Sequence, residues 1–188
     1  AQVGFSSDFG ENWNVSILPE FPDIALGDVY INIFALSPAF DTDHEIYLGT
    51  RGHGVLQTAD GGTSWRSVPD VPHTTHITSV AVSPNYANDK IAFAANRSGE
   101  VWRTQNGGDN WSRVGSGSII KRGNESYVWI AISPAFATDR LVLVGTNNGI
   151  YRSGDNGNTW MPLLNGTIGP ATVIQQIEFS PNFVEDRL

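Results

Sequence analysis

The chain has 188 residues, no cysteine and a formal net charge of −8. This acidity, with Lys90 and Lys121 as the only lysines, excludes the clustered cations that a nucleic-acid phosphate backbone requires. The lack of cysteine excludes disulfides, thiolate metal sites and cysteine nucleophiles, and no apolar run approaches the ~20 residues of a membrane-spanning helix. We therefore expect a globular chain with no nucleic-acid partner and no transmembrane segment.

Short apolar runs rich in Val, Ile, Tyr and Trp alternate with clusters of Gly, Asn, Asp and Pro. Such runs predict strands joined by hairpins, and no segment has a convincing helical period. The runs are grouped in fours, and we name the strands of each group A to D. The complete groups are predicted at 30–36, 45–49, 55–58 and 65–68, then at 76–82, 90–94, 101–104 and 111–114, then at 126–133, 140–146, 150–154 and 160–164. Residues 1–17 hold only strands C and D, and residues 172–188 hold strand A and the start of strand B.

One octet, Ser/Thr-x-Asp/Asn-x-Gly-x-x-Trp, occurs four times between strands C and D, and its third residue recurs at spacings of 52, 46 and 49 residues. A second motif, Ser-Pro-x-Phe/Tyr-x-x-Asp, runs in phase with the octet between strands A and B. The recurring residues of the octet are Asp8, Gly10, Trp13, Asp60, Gly62, Trp65, Asn106, Gly108, Trp111, Asp155, Gly157 and Trp160. Two motifs that keep one period establish an internal repeat.

Four antiparallel strands in each repeat predict an all-β fold, a β-propeller in which each repeat is one blade. A β-solenoid is the alternative, and we disfavour it because solenoid coils are usually shorter. We expect three complete blades, 28–69, 76–115 and 126–164, and two partial blades, 1–17 and 172–188. A propeller needs at least four blades to close, and joining the two partial blades would leave strand B almost absent. We therefore expect a fragment of a larger propeller rather than a closed four-bladed ring.

Each residue type of the octet has a structural task in a tight hairpin. The Asp or Asn side chain accepts hydrogen bonds from backbone N–H groups that have no ladder partner, and the hydroxyl two residues earlier adds another bond. The glycine supplies a positive φ, and the tryptophan covers the hairpin with apolar surface. Asn106 replaces Asp in the third octet. An Asn side chain can cap a turn as Asp does, but it cannot fill a role that requires a negative charge. We interpret all four octets as structural.

The octets resemble the Asp-box, or bacterial neuraminidase repeat, of sialidases, xyloglucan-degrading propellers, sortilin-type receptors and the photosystem II assembly factor of plants and cyanobacteria. The segment 133–160, which carries both motifs, is also similar to bacterial extracellular repeat proteins. The resemblance implies a propeller with each box at the blade periphery, on the face opposite the usual active site. It also implies an extracellular or cell-surface location. It does not choose between an enzyme and a binding protein, because Asp-boxes occur in both.

A ligand is expected on the face that carries the D–A and B–C connections. These connections vary in length and composition on an otherwise repeated scaffold, which is typical of functional loops. The candidate ligand residues on this face are Arg51, His53, Arg97, Lys121, Arg122, Glu20 and Asp23. Arginine suits such a role because the guanidinium fork matches a carboxylate. The expected function is a rigid non-catalytic binding or assembly module whose partner is another protein or a glycan.

The alternative function is part of a glycoside hydrolase whose catalytic residues lie partly outside this chain. A glycosidase needs two carboxylates that face each other across a cleft, and nothing in the sequence pairs the acids of these loops. The Arg-Ile-Pro motif of sialidases is absent, and no Tyr/Glu nucleophile pair can be assigned. A photosystem assembly role is disfavoured, because a basic patch would be expected and Lys121 and Arg122 are the only adjacent cations.

Two local clusters of side chains could be considered as metal sites, and we disfavour both. Asp41, Asp43 and Glu45 offer carboxylate oxygens for calcium, but they lack the glycine and spacing of a twelve-residue calcium loop. His73 and His76 have no identifiable third ligand for zinc. We expect neither a metal nor a cofactor.

Overall fold

The computed structural model describes residues 2–6, 8–18, 29–115, 127–147, 149–163 and 174–186. Within these residues the chain forms three four-stranded antiparallel sheets and one two-stranded sheet. In each four-stranded sheet, consecutive strands are hydrogen-bonded neighbours, which is the connectivity of a propeller blade. The predicted fold class is confirmed.

The two-stranded sheet is a hairpin of β1 (Gln2–Phe5) and β2 (Asn14–Ile17). Blade 1 consists of β3 (Tyr30–Leu36), α1 (Phe40–Asp43), β4 (Ile46–Arg51), β5 (Val55–Thr58) and β6 (Arg66–Ser67). Blade 2 consists of β7 (Ile77–Val82), α2 (Tyr86–Asp89), β8 (Ala92–Asn96), β9 (Val101–Thr104) and β10 (Ser112–Val114). Blade 3 consists of β11 (Trp129–Ile132), α3 (Phe136–Asp139), β12 (Val142–Thr146), β13 (Gly149–Ser153) and β14 (Met161–Pro162). The last described stretch contains α4 (Phe183–Asp186).

The A–B connections form one-turn helices, where the sequence predicted turns without helix. At α1, Ser37 Oγ accepts a 3.0 Å hydrogen bond from the Ala39 amide and donates a 2.6 Å bond to Asp43 Oδ2. His44 then ends the turn in the left-handed conformation, with φ 53°. The serine and aspartate of the second motif therefore hold this turn closed. A helix of four residues is too short to show a helical period in the sequence.

No helix in the described ranges is long and apolar enough to cross a membrane.

The strand expected at the start of 172–188 is not formed within the described residues 174–180. A strand is defined by ladder hydrogen bonds to a neighbour, and no sheet of the described chain includes this stretch. The stretch nevertheless packs on blade 3. A methyl group built on Gly145 would lie 2.6 Å from Ile174 Cγ2 and 3.6 Å from Ile177 Cγ2.

The hydrophobic cores lie between blades. One buried cluster joins blades 1 and 2 and includes Tyr47 and Trp111, and another joins blades 2 and 3 and includes Phe93 and Phe136. At Gly49 the packing leaves no room for a side chain, because an added methyl group would lie 2.5 Å from Ile77 Cγ2. Since the faces of a sheet must be buried against another layer, each blade stabilises its neighbours.

The A strands of neighbouring blades are also tied by polar side chains at β-bulges. The strand register shifts at Asn32 in blade 1 and at Thr78 in blade 2. Asn32 Nδ2 donates a 3.0 Å hydrogen bond to the Ile77 carbonyl, and Thr78 Oγ1 donates a 3.1 Å bond to the Val128 carbonyl. A bulge re-aims the side chain of its extra residue, and here that side chain reaches the next blade.

Candidate binding face

Asp60 holds the C–D hairpin of blade 1 closed. Its Oδ1 accepts hydrogen bonds from Thr58 Oγ1 at 2.6 Å and from the Ser64 amide at 2.9 Å, while its Oδ2 accepts from Ser64 Oγ at 2.6 Å. Thr58 Oγ1 also accepts a 3.0 Å bond from the Gly62 amide, and Gly62 has φ 97°, which favours glycine. The hydrogen bonds from Ser64 and then Thr58 stabilise the charged carboxylate and lower the pKa of Asp60 to about 2.

The other octets repeat this geometry, with one difference at Asn106. Asp8 Oδ2 accepts a 2.6 Å hydrogen bond from Asn12 Nδ2, and Asp155 Oδ2 accepts a 2.6 Å bond from Thr159 Oγ1. Asn106 Oδ1 accepts a 3.0 Å bond from the backbone amide four residues later, but an amide nitrogen stands where the second carboxylate oxygen would be. The third hairpin therefore has the backbone bond without the second acceptor oxygen.

The octets of blades 2 and 3 also pack against the preceding blade. Gln57 Nε2, in strand C of blade 1, donates a 2.7 Å hydrogen bond to the Gly107 carbonyl in the octet of blade 2. A side chain at Gly108 would overlap the Gln57 amide. In the same way Arg103, in strand C of blade 2, donates to the Asn156 carbonyl in the octet of blade 3. The octet thus closes its own hairpin and joins two blades.

A buried polar cluster lies at the junction of blades 1 and 2. Tyr86 Oη donates a hydrogen bond to Glu45 Oε2, and the Tyr47 and Tyr86 hydroxyls lie 2.7 Å apart. Gln57 Nε2 donates to Glu45 Oε2 at 2.9 Å, and Lys90 Nζ lies 3.6 Å from Glu45 Oε1. Burial raises the pKa of both tyrosines.

This Tyr/Glu arrangement was not predicted from the sequence, because it forms only when blades 1 and 2 pack together. Both tyrosine rings are fully buried, and Glu45 is engaged by Tyr86, Gln57 and Lys90. The cluster therefore joins blades 1 and 2 through its two buried tyrosines.

Within the described ranges, the D–A connection from blade 1 to blade 2 lies beside the B–C connections of these two blades. At the end of strand B in blade 1, Arg51 forms an antiparallel bridge with His76, which leads into strand A of blade 2. The Gly52 amide donates a 3.3 Å bond to the Thr75 carbonyl, and the Arg97 amide donates a 3.0 Å bond to the His76 carbonyl. Arg51, the last residue of β4, and Arg97, directly after β8, occupy the same repeat position in neighbouring blades. The side chain of Arg51 is exposed and that of Arg97 is half-buried.

His53 differs from the expectation that it faces a ligand. Its relative exposure is only 2%, because the turn of residues 52–54 folds it under the surface. Its backbone amide donates a 3.1 Å hydrogen bond to Thr50 Oγ1. His53 therefore supports the B–C turn. The remaining candidates of this face lie outside the described residues: Glu20, Asp23, Lys121 and Arg122.

The described carboxylates of these connections take part in structural bonds. Glu100 lies 2.8 Å from Arg113 Nη1 and accepts a 2.8 Å hydrogen bond from Asn96 Nδ2. Asp70 Oδ2 accepts a 3.2 Å bond from the Trp111 amide of the next blade. In the described part of this face, these two acids stabilise turns and blade contacts.

The two clusters considered for a metal were Asp41, Asp43 and Glu45, and His73 and His76. No group of three His, Asp or Glu side chains suited to a metal ion occurs in the described ranges. Near α1, Asp43 and Glu45 instead lie 3.8 Å and 3.6 Å from Lys90 Nζ. The Lys90 ammonium group is therefore the cation that lies beside these two carboxylates.

A cavity of about 400 Å³ lies between the A strands, lined among others by Ile33, Ser79, Trp129 and Glu178. A second cavity of about 380 Å³, lined by Tyr127, Trp129, Ile174 and Gln175, adjoins the first through Trp129. Both border the first strands of successive blades, which is where a propeller has its central channel. The first cavity combines apolar side chains with Ser79, Gln176 and Glu178, and neither cavity is lined by Arg51 or Arg97.

The repeated hairpins and the in-order four-stranded sheets define the class of this protein as an Asp-box β-propeller. Among solved structures, an ancestral GH74 enzyme is similar at 25% identity with a TM-score of 0.59, over 72% of this chain and 18% of the enzyme. YCF48 bound to D1 peptide is similar at 21% identity with a TM-score of 0.57, over 81% of this chain and 44% of YCF48. YCF48 from Cyanidioschyzon merolae is similar at 17% identity with a TM-score of 0.54, over 92% of this chain and 54% of that protein.

The sequence profile described as photosynthesis system II assembly factor YCF48 matches residues 24–182. The chain belongs to this family. It spans at most 54% of the length of the three solved proteins above. No curated protein sequence matches it significantly.

Family membership corrects the sequence-based argument against a photosystem assembly-type protein. That argument rested on the missing basic patch at Lys121 and Arg122. The family model matches residues 24–182, which is far more of the chain than positions 121 and 122. The lack of a larger basic patch in the sequence is therefore compatible with the family.

Proposed function

We propose that this chain is part of a non-catalytic propeller that binds a segment of a partner protein on the face of its B–C and D–A connections. The observation that carries the proposal is the position of Arg51 and Arg97 on this face, at equivalent sites of adjacent blades. Guanidinium groups there can pair with acidic or carbonyl groups of a peptide. The described acids of the same connections, Asp70 and Glu100, are engaged in structural bonds.

The family gives independent support for a protein partner. A solved relative of this fold is YCF48 bound to D1 peptide, and an assembly factor acts by binding other proteins. Extending that property to this chain is part of the proposal. A location outside the cell is also part of it, and cell fractionation with an antibody to the chain tests that location.

A glycoside hydrolase is the second candidate, because the ancestral GH74 enzyme shares the fold over 72% of this chain. Hydrolysis requires two facing carboxylates. In that case the carboxylates would come from residues outside the described ranges or from outside the chain. A glycoside hydrolase would turn over a glycan substrate, whereas a binding module would not.

Binding of D1 peptide, measured by biolayer interferometry, is the first test, with Arg51→Gln and Arg97→Gln as the variants. Arg66→Gln is the matched control, because Arg66 lies on strand D and pairs with Asp109. We expect each of the first two variants to weaken binding at least fivefold and the control to leave it unchanged. Equal binding by all four proteins, or no binding at all, contradicts the peptide proposal. Release of reducing sugar from xyloglucan by the same preparation supports the hydrolase instead.

A further inference from the structure

Arg103, in strand C of blade 2, is a buried cation whose hydrogen bonds go to uncharged oxygen atoms. The residue is only 8% exposed. Its Nη1 donates to the Asn156 carbonyl and, at 3.0 Å, to Asn158 Oδ1, while its Nη2 donates to Gln105 Oε1 at 3.1 Å. Burying a charge is costly unless an opposite charge is paired with it. Within the described ranges, this guanidinium has hydrogen bonds but no carboxylate bonded to it.

Asp155 is an acid whose charge acts on Arg103 without a hydrogen bond. Burial lowers the pKa of the Arg103 guanidinium, and the Asp155 carboxylate raises it by a smaller amount. This carboxylate is held within its own octet, where it accepts hydrogen bonds from Ser153 Oγ at 2.8 Å and from Thr159 Oγ1 at 2.6 Å. Because arginine keeps its proton in proteins, the guanidinium remains charged and is only partly compensated.

A cavity of about 200 Å³ lies beside this guanidinium, on the flank of the C–D hairpin of blade 2. Its lining consists of six polar or aromatic residues: Arg103, Gln105, Asn106, Asn110, Trp111 and Ser112. Each of these side chains carries at least one N–H or O–H donor, and none carries a carboxylate. Donors grouped around a cation suit an anion, which accepts hydrogen bonds and carries the opposite charge.

Two buried N–H groups of this lining have no hydrogen-bond partner among the described residues: Arg103 Nε and Trp111 Nε1. A guanidinium has five N–H donors, and the hydrogen bonds of Arg103 use three of them. Trp111 is 4% exposed. In blade 1 the equivalent indole is paired, since Trp65 Nε1 donates to the Gly62 carbonyl at 3.1 Å. Buried donors without an acceptor are unfavourable, so an acceptor in the cavity would stabilise the site.

The octet of blade 2 also differs in charge from the octet of blade 3. In blade 3, where Trp160 Nε1 is likewise unpaired among the described residues, the third residue of the octet is Asp155, and its Oδ2 accepts a hydrogen bond from Thr159 Oγ1. In blade 2 the equivalent residue is Asn106, whose Oδ1 accepts a 3.0 Å bond from the Asn110 amide. Asn106 thus supplies an N–H donor to the cavity lining where the other octets have a negative charge.

We propose that this cavity binds a phosphate or sulfate group, with Arg103 as the charged binding residue and Trp111 and Asn106 as neutral donors. A guanidinium matches such an oxyanion in shape and in charge. The acid of the same octet, Asp109, is not part of the cavity lining and pairs with Arg66 at 3.2 Å. The octets and the B–C connections lie at opposite ends of strand C, so this site is separate from the peptide-binding face proposed above and does not rest on it.

Isothermal titration calorimetry of the chain with inorganic phosphate, inorganic sulfate and methyl phosphate tests the proposal, and circular dichroism checks that each protein is folded. The first variant is Asn106→Asp, which restores the carboxylate of the other octets. Its matched control is Ala59→Asp, which adds the same charge at an exposed octet position of blade 1. The second variant is Trp111→Phe, which keeps a buried aromatic ring but removes the indole N–H.

The wild type and Ala59→Asp are expected to bind phosphate or sulfate equally well. Asn106→Asp is expected to weaken that binding about tenfold or more, because like charges repel at short range, and Trp111→Phe about threefold. Binding of inorganic phosphate without methyl phosphate supports a free ion as the ligand, and equal binding of both supports a phosphate ester. Undetectable binding of all three anions by the folded wild type overturns the proposal, as does equal affinity of the wild type and Asn106→Asp.

Discussion

Gln57 Nε2 lies 2.7 Å from the carbonyl oxygen of Gly107, although 50 residues separate the two in sequence. This bond joins strand C of one blade to the octet of the next. The same amide also donates to Glu45 Oε2 at 2.9 Å. The Gln57 side chain thus links two features. One is an octet that was predicted from the sequence, and the other is a buried tyrosine cluster that was not.

Gln57→Met tests the importance of this link. The variant keeps the side-chain length but leaves the Gly107 carbonyl and Glu45 without this donor, so we expect the free energy of unfolding to fall by about 1–3 kcal/mol. Urea denaturation measures the change, with Gln2→Met on the exposed edge of β1 as the control. Equal midpoints for Gln57→Met and Gln2→Met would show that the bond is energetically neutral.

Asn106→Asp is expected to stabilise the third hairpin. The new carboxylate gains the second acceptor oxygen that Asp8 uses to bind Asn12 Nδ2 at 2.6 Å, and Asn110 occupies the position equivalent to Asn12. We expect a gain of about 0.5–1.5 kcal/mol at neutral pH. Denaturant unfolding gives the value, and the reciprocal change Asp155→Asn should be destabilising. Loss of stability in Asn106→Asp would contradict the proposed equivalence of the octets.

The hydrogen bonds of Asp60 predict an acid-dependent loss of stability. Its folded pKa of about 2 lies below the ordinary value of 3.8, so its contribution to stability is present above pH ~4 and is lost as the pH falls towards 2. Asp60→Asn removes the titrating group, and its Tm should therefore depend less on pH between 4 and 2 than that of the wild type. Parallel Tm profiles over this range would rule out the proposed linkage.

Gly49→Ala is expected to loosen the packing of blades 1 and 2. The added methyl group would lie 2.5 Å from Ile77 Cγ2 and 2.6 Å from Ile33 Cγ2, which requires the A strands to shift. Such overpacking costs about 1–3 kcal/mol. Gly154→Ala is the matched control, because its nearest neighbour would be Arg152 Nη2 at 4.0 Å. If both variants unfold at the same urea concentration, the two A strands are less tightly packed than described.

Much of the fold could be predicted because its signals are local. Strands β3, β5 and β9 begin and end where the apolar runs predict, since hairpin residues on both sides interrupt each run. The one-turn helices were not predicted, because the bond from Ser37 Oγ to Asp43 Oδ2 involves residues that are equally common in simple turns. The binding face stays a prediction: the B–C position of Arg51 follows from the repeat, but the burial of His53 does not.

The sequence alone determined the repeat, the strand order within each blade and the place of every octet, because hairpin chemistry depends on residues within about ten positions of each other. The tertiary structure decided what the octets contact. Gln57 and Arg103 occupy the same repeat position with different side chains, and each meets a backbone carbonyl only when two blades pack face to face. Whether Glu45 meets Tyr86 is decided in the same way. Contacts between blades depend on side-chain shape across about 50 residues of chain, and no local pattern encodes that fit.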